Sequence, residues 1–154
     1  MSPEEFKIKL DQLPQTIRHE LERDLPIIIG KKAVDFFKEG FDKEGFTDTA
    51  IVAWQEVQRR GANGHKVAKG AAGSRKILTG ATGDLGESIL YTPGNMEVTI
   101  HSDKPYSQAQ NEGTNTAGRN HNVTIPARPF IKESQELDRI VKEEIERMLG
   151  NLLK

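Results

Sequence analysis

Ser88-Ile89-Leu90-Tyr91-Thr92-Pro93-Gly94-Asn95-Met96-Glu97-Val98-Thr99-Ile100-His101 separates an α+β chain from an all-helical one. Its two arms, 88–92 and 96–101, read as strands, and Pro93-Gly94-Asn95 between them favours a reversing turn. Met96, Val98 and Ile100 alternate with polar neighbours, which predicts a hairpin with one buried face and one wet face.

Helical patterns flank this hairpin. At the start, Ser2-Pro3-Glu4-Glu5 has the form of a capping box with proline at the first helical position. Phe6, Leu10, Leu13 and Ile17 follow at helical spacing, interrupted near Pro14. A second helix is predicted over 25–41, where Ile29, Ala33, Phe36, Phe37 and Phe41 share one face and Gly45 closes the element. Phe46 and Trp54 carry the apolar supply into a short segment ending at Arg59-Arg60. Beyond the hairpin, 107–122 is polar and loop-like, and a third strand is predicted over 121–125. Pro126-Ala127-Arg128-Pro129-Phe130 then reads as a stiff, non-helical strap, because the residue before each proline is pushed toward extended geometry. Ser134 offers an N-cap to the clearest element. This is a terminal helix whose Leu137, Ile140, Val141, Ile145, Met148, Leu149, Leu152 and Leu153 fall on one stripe. That stripe suits intramolecular packing, contact with a neighbouring subunit, or both. The predicted fold is α+β, a single domain over 1–154. A small antiparallel sheet packs on a long N-terminal helix and on the C-terminal amphipathic helix.

Composition narrows the function. The 154 residues can bury about two-thirds of their unfolded surface. Only 35% are hydrophobic, so the core must come from a few well-patterned segments. The 22 basic and 23 acidic residues nearly cancel, so overall charge draws the chain toward neither nucleic acid nor an anionic membrane. With no cysteine, disulfides, thiolate metal sites and thiol nucleophiles are excluded, and a reducing cytoplasm is expected. The first residues are acidic, and the early apolar run 25–29 contains Pro26 and is too short for a signal core or a span. Asn122-Val123-Thr124 matches a glycosylation acceptor, read here as chance.

Seven of the fourteen glycines lie in 61–86, and no acidic residue occurs between Glu56 and Asp84. Residues 61–81, and again 107–121, are therefore expected to be mobile loops. Arg59, Arg60, Lys66, Lys69, Arg75 and Lys76 make the first of these basic. That suits contact with an acidic partner surface or with phosphates, though no aromatic residue interleaves them for base stacking. A nucleic-acid-binding module built on 59–76 is thus the alternative reading. The glycines do not fall into a P-loop or dinucleotide fingerprint. No Gly-x-Ser-x-Gly elbow is present. The histidines 19, 65, 101 and 121 form no pair at helical metal spacing. Only His101, Asp103 and His121 could meet through a sheet. Glu143 and Glu144 read as a solvated helix face. No catalytic residue, metal or cofactor is expected.

Several segments taken in order resemble the phage virion morphogenesis family, the tail-completion proteins of Mu-like phages and prophages. Phe36-Phe37, Phe41 and Gly45-Phe46 precede Trp54 at that family's usual distance. Thr82-Gly83-Asp84-Leu85-Gly86-Glu87-Ser88-Ile89 looks like its Thr-Gly-x-Leu-x-x-Ser-Ile element. Val98-Thr99-Ile100 leads to Tyr106 and then to Asn111-Glu112-Gly113, which looks like its His/Asn-x-Gly turn. Ile125-Pro126-Ala127-Arg128-Pro129-Phe130-Ile131 is similar to its most recognisable string. The likeness covers about 25–135. It departs at Tyr106-Ser107, where the family has Tyr-Ala. The resemblance implies a structural protein of the tail or neck, needed to finish tails so that heads and tails join. Such a protein has no catalytic residues and acts by assembly with other tail and neck proteins. A ring, sixfold by tail symmetry, is expected on assembly in the host cytoplasm, with a monomer in isolation. Within it, Leu85 and Ile89 should turn inward and Phe130 should anchor the strap. Arg128 should pair with a carboxylate of its own or a neighbouring subunit.

Overall fold

The computed structural model describes residues 2–152. Helix α1 (Pro3–Asp11) opens with the expected capping box: Glu5 N–H donates to Ser2 Oγ at 3.1 Å, and Ser2 N–H to Glu5 Oε2 at 2.8 Å. Helix α2 (Gln15–Lys43) is the spine of the molecule and longer than the periodicity over 25–41 predicts. It runs straight through Pro26, whose missing N–H and bias on the preceding residue argue for a boundary there. Burial overrides that local preference. Leu21, Leu25, Pro26, Gly30, Ala33, Phe37 and Phe41 form one continuous buried stripe on either side of the proline. At its end Gly45 does not close the helix. Glu44 takes the left-handed conformation (φ 53°) and Gly45 already belongs to β1.

Among the described residues, six short strands pair as three separate antiparallel hairpins rather than one sheet. Strands β1 (Gly45–Thr47) and β2 (Ile51–Ala53) form a hairpin that alternation did not reveal, since three-residue strands carry too little period. A single helical turn, α3 (Asp84–Glu87), leads into β3 (Ile89–Pro93), which pairs with β4 (Val98–Ser102) from Ile89↔Ser102 to Pro93↔Val98. Both arms lie slightly later than read: Ser88 is the cap of α3, and Met96 sits in the turn with φ 55°. The alternation survives in its first part, with Val98 half-buried between exposed Glu97 and Thr99, and ends at Ile100 and His101, which are both half-buried. The segment 107–122 is not a plain loop. It forms α4 (Ser107–Glu112) and β5 (Thr114–Ala117), which pairs with β6 (Val123–Ile125) across an irregular register. Its polar composition hid these elements because neither contributes a fully buried residue.

The glycine-rich segment 61–81 contains 3-10 turns at Ala62–Gly64 and Gly70–Gly73 and no strand. Arg59 ties it together, donating from Nη1 to the carbonyls of Ala72 and Arg75 and from Nη2 to that of Lys76. The last element is α5 (Gln135–Leu152), where Ser134 acts as the expected cap: Leu137 N–H donates to Ser134 Oγ at 3.2 Å. The β1–β2 turn completes that cap through Asp48, which accepts Gln135 N–H at 2.9 Å on Oδ1 and Glu136 N–H on its carbonyl. A carboxylate here also faces the positive end of the helix dipole. Leu153, placed on the stripe by sequence, lies outside the described residues.

Two apolar clusters sit along α2. Around its C-terminal half, Phe37, Phe41, Phe46, Trp54, Ile77, Leu85, Ile89 and Phe130 are buried together. Phe41 is the hub, with Trp54 edge-on at 5.4 Å and Phe130 at 5.5 Å. Around its N-terminal half, Leu10, Leu13, Leu21 and Leu25 enclose Leu149 of α5. Glu144 departs from the expected solvated face. It is buried on α5 and paired with Lys32 of α2 (3.4 Å) and with Arg147. The Arg147 guanidinium, helped by Lys32, holds its carboxyl below the usual carboxylate range against the opposing effect of burial. No helix among the described residues is long and apolar enough to cross a membrane.

Candidate functional site

The strap at 126–130 gathers most of the residues that the sequence singles out. Asn111, at the end of α4, clasps its far end. Its Oδ1 accepts the N–H groups of Phe130 (2.8 Å) and Ile131 (3.0 Å), and its Nδ2 donates to the Ile131 carbonyl at 2.9 Å. Trp54 Nε1–H donates to the Pro129 carbonyl at 2.7 Å, and Arg128 N–H to that of Gln110 at 2.9 Å. Gly113 turns the chain out of α4 with φ 77°, and a Cβ there would stand 2.7 Å from Ala127 N, so a side chain would both strain the backbone and strike the strap. Phe130 is buried in the main core, as expected, with Leu85 and Ile89. Ser88 is buried beside them, donating to the Leu85 carbonyl and meeting Ser102 Oγ at 2.6 Å.

Arg128 does not make the expected pair with a carboxylate among the described residues of its own chain. Its Nε donates to the Gln55 carbonyl at 2.9 Å and Nη2 to that of Glu56 at 3.3 Å. The side chain is buried, and desolvation pushes its pKa down. The Glu56 charge opposes that shift and the Arg59 charge adds to it. Two backbone carbonyls can steady a guanidinium but do not neutralise it. Arg128 and Arg59 face a shared polar recess of about 320 Å³, whose wall also carries Thr79, Thr82, Asp84, Tyr106 and Gln110. Thr82 and Tyr106 are exposed at its mouth, while Gly83, with φ 74°, turns the chain into α3 beneath it. Spacing along the chain could not reveal this meeting of residues from 57–59, 78–85, 106–110 and 128. Thr79 and Gln110 had no sequence signal at all.

The basic residues separate into two groups. Arg59 Nη1 and Nη2 donate to carbonyls of its own loop, which leaves its Nε and its charge uncommitted, Arg60 pairs with Glu44 and Glu56, and Lys76 Nζ donates to the Asp42 carbonyl at 2.8 Å. Lys66 and Lys69 stand exposed, and Arg75 is half-buried. The expected six-residue basic contact is therefore reduced, since three of its members already serve the fold. His101 and His121 are not brought into one site: His101 Nε2 lies 2.9 Å from Thr92 Oγ1, and His121 Nδ1 lies 3.3 Å from the Thr116 carbonyl. Among the described residues no group of His, Cys, Asp or Glu is arranged to hold a metal ion.

On another side, α1, α2, the β3–β4 turn and α5 enclose an open groove of about 710 Å³. Phe6, Leu10, Leu25, Ile29, Val141 and Ile145 form its floor, and Lys7, Glu22, Glu97 and Lys142 stand among its lining residues. Among the described residues of the α5 apolar stripe, only Leu149 is fully buried. Leu137, Ile140, Val141, Ile145 and Met148 are half-covered, and Leu152 is exposed. On β2, Ile51 and Val52 are 51% and 63% exposed. No family model, no curated protein and no solved structure matches this chain.

Proposed function

We propose that this chain is a virion assembly protein of the tail or neck, which completes tails so that heads and tails join. It works through its surfaces and not through a reactive pocket. The observation that carries the reading is the half-covered terminal helix. A stripe built for burial is left partly in water by its own fold, beside an open apolar groove. Such a surface gains its remaining burial from another protein chain. The ordered motif set from Phe36 to Ile131 supports the finer assignment to tail completion. In that role the chain assembles in the host cytoplasm as a ring on the tail end or neck, and Lys66, Lys69 and Arg75 are available to an acidic neighbour. Nucleic-acid binding is less well supported, because Arg59, Arg60 and Lys76 have internal partners.

Deleting the gene from the phage or prophage that carries it tests the reading. Electron microscopy of the induced lysate should show heads and tails that fail to join, with infectivity restored by the gene in trans. Normal, joined, infectious particles from the deletion would reject it.

A further inference from the structure

We infer that the recess between Arg59 and Arg128 is a receptor for one carboxylate, supplied by an Asp or Glu side chain of a partner protein. The inference rests on the assembly reading for its partner and on the recess alone for its chemistry. Arg128 is only 7% exposed, yet among the described residues it meets no carboxylate. Its Nε and Nη2 are taken by two carbonyls, which leaves Nη1 without a hydrogen-bond partner at the wall of the recess. Arg59 lines the same recess, also without an ion pair, and its Nε is similarly free of a hydrogen bond. Neither guanidinium has an ion pair among the described residues; the Glu56 charge favours the Arg128 cation, but desolvation is the larger effect on it, and one anion between the two guanidiniums would supply the missing pair.

The wall decides which anion fits. Asp84 lines the recess and Glu56 neighbours Arg128, so a polyanionic backbone with several phosphates meets repulsion there. A single carboxylate can reach the guanidiniums past Thr82 and Gln110, whose hydroxyl and amide groups can donate hydrogen bonds to it, while the Thr79 hydroxyl is engaged with the Lys76 carbonyl. A volume of about 320 Å³ lies at the small end of ligand sites, enough for one acidic side chain with water and too little for a folded element.

The test uses the full ¹⁵N-labelled chain titrated with capped glutamate (N-acetyl, C-amide), with capped glutamine at matched sodium chloride as control. Expected are saturable shifts at the amides of Gly80, Thr82 and Arg128 with a Kd on the order of 10 mM, seen with glutamate alone. A Gln110→Glu variant places a carboxylate on the recess wall itself. It should raise Tm by about 2–4 °C and weaken capped-glutamate binding at least tenfold. A lone structural role for the arginines predicts neither effect. The inference fails if chloride or capped glutamine gives equal shifts, if Gln110→Glu lowers Tm and leaves binding unchanged, or if a short single-stranded DNA displaces capped glutamate at lower concentration. Particle assembly is read separately. A chain required for joined virions but silent toward capped glutamate sinks this inference alone. Recess binding in a chain dispensable for virions sinks the assembly reading alone.

Discussion

Replacing Gly30 with alanine sets two opposing effects against each other inside α2. Alanine is the better helix former by about 1 kcal/mol, so on propensity alone the variant should be more stable. Tertiary packing reverses the sign. A Cβ at position 30 would stand 2.4 Å from Tyr91 Cδ2, 2.7 Å from Tyr91 Cγ and 3.0 Å from Val98 Cγ2. Carbon atoms in contact prefer about 3.5–4.0 Å, so the ring must retreat by about 1 Å. Cγ lies at the root of the ring, and rotating the side chain about its own axis does not move it. The β3–β4 hairpin has to lift off the helix, a form of overpacking that at so short an approach costs about 2–3 kcal/mol. The net expectation is a loss of about 1–2 kcal/mol, measured by urea unfolding followed by circular dichroism with an unchanged m-value. In a Tyr91→Ala background the ring is gone and only the 3.0 Å approach of Val98 Cγ2 remains, so Gly30→Ala should then be neutral or stabilise by up to about 1 kcal/mol. A Gly30→Ala chain as stable as the parent, or one that is equally destabilised with and without the tyrosine ring, would refute the reasoning.

Asn111→Ala removes the clasp on the strap and leaves two N–H groups and one carbonyl without their protein partner, at a cost of about 2–4 kcal/mol. Hydrogen exchange should show the Phe130 and Ile131 amides losing protection first; a loss of stability below about 0.5 kcal/mol would contradict the clasp. Glu144 carries a pH dependence. Its folded pKa is depressed below 4.5, so its contribution is present above that value and is lost as pH falls through the folded pKa. Glu144→Gln should therefore cost on the order of 1 kcal/mol at pH 7, a modest figure because Arg147 and Lys32 remain partly in water. The gap between parent and variant in urea should narrow as pH falls below 4.5; a gap that widens on acidification would overturn the assignment.

The amino-acid sequence by itself determined the fold class, the capping box of α1, the β3–β4 hairpin, the extended strap and the terminal helix with its Ser134 cap. Each of these is written in neighbouring residues, where periodicity, caps and prolines act over one or two turns of chain. The tertiary structure decided what depends on distant partners. Pro26 stays inside α2 because the burial on both sides of it outweighs one missing hydrogen bond. Gly45 yields the end of that helix to Glu44, since the β1–β2 pairing claims the glycine. Two three-residue strands and a polar helix at 107–112 carry too little hydrophobic signal to be read locally. The candidate site follows the same division. Arg128 and Arg59 are visible as residues, but that they share one recess, bind carbonyls and lack a carboxylate is set by a chain that returns to the same place from 69 positions away, where only packing, and no local pattern, selects the neighbour.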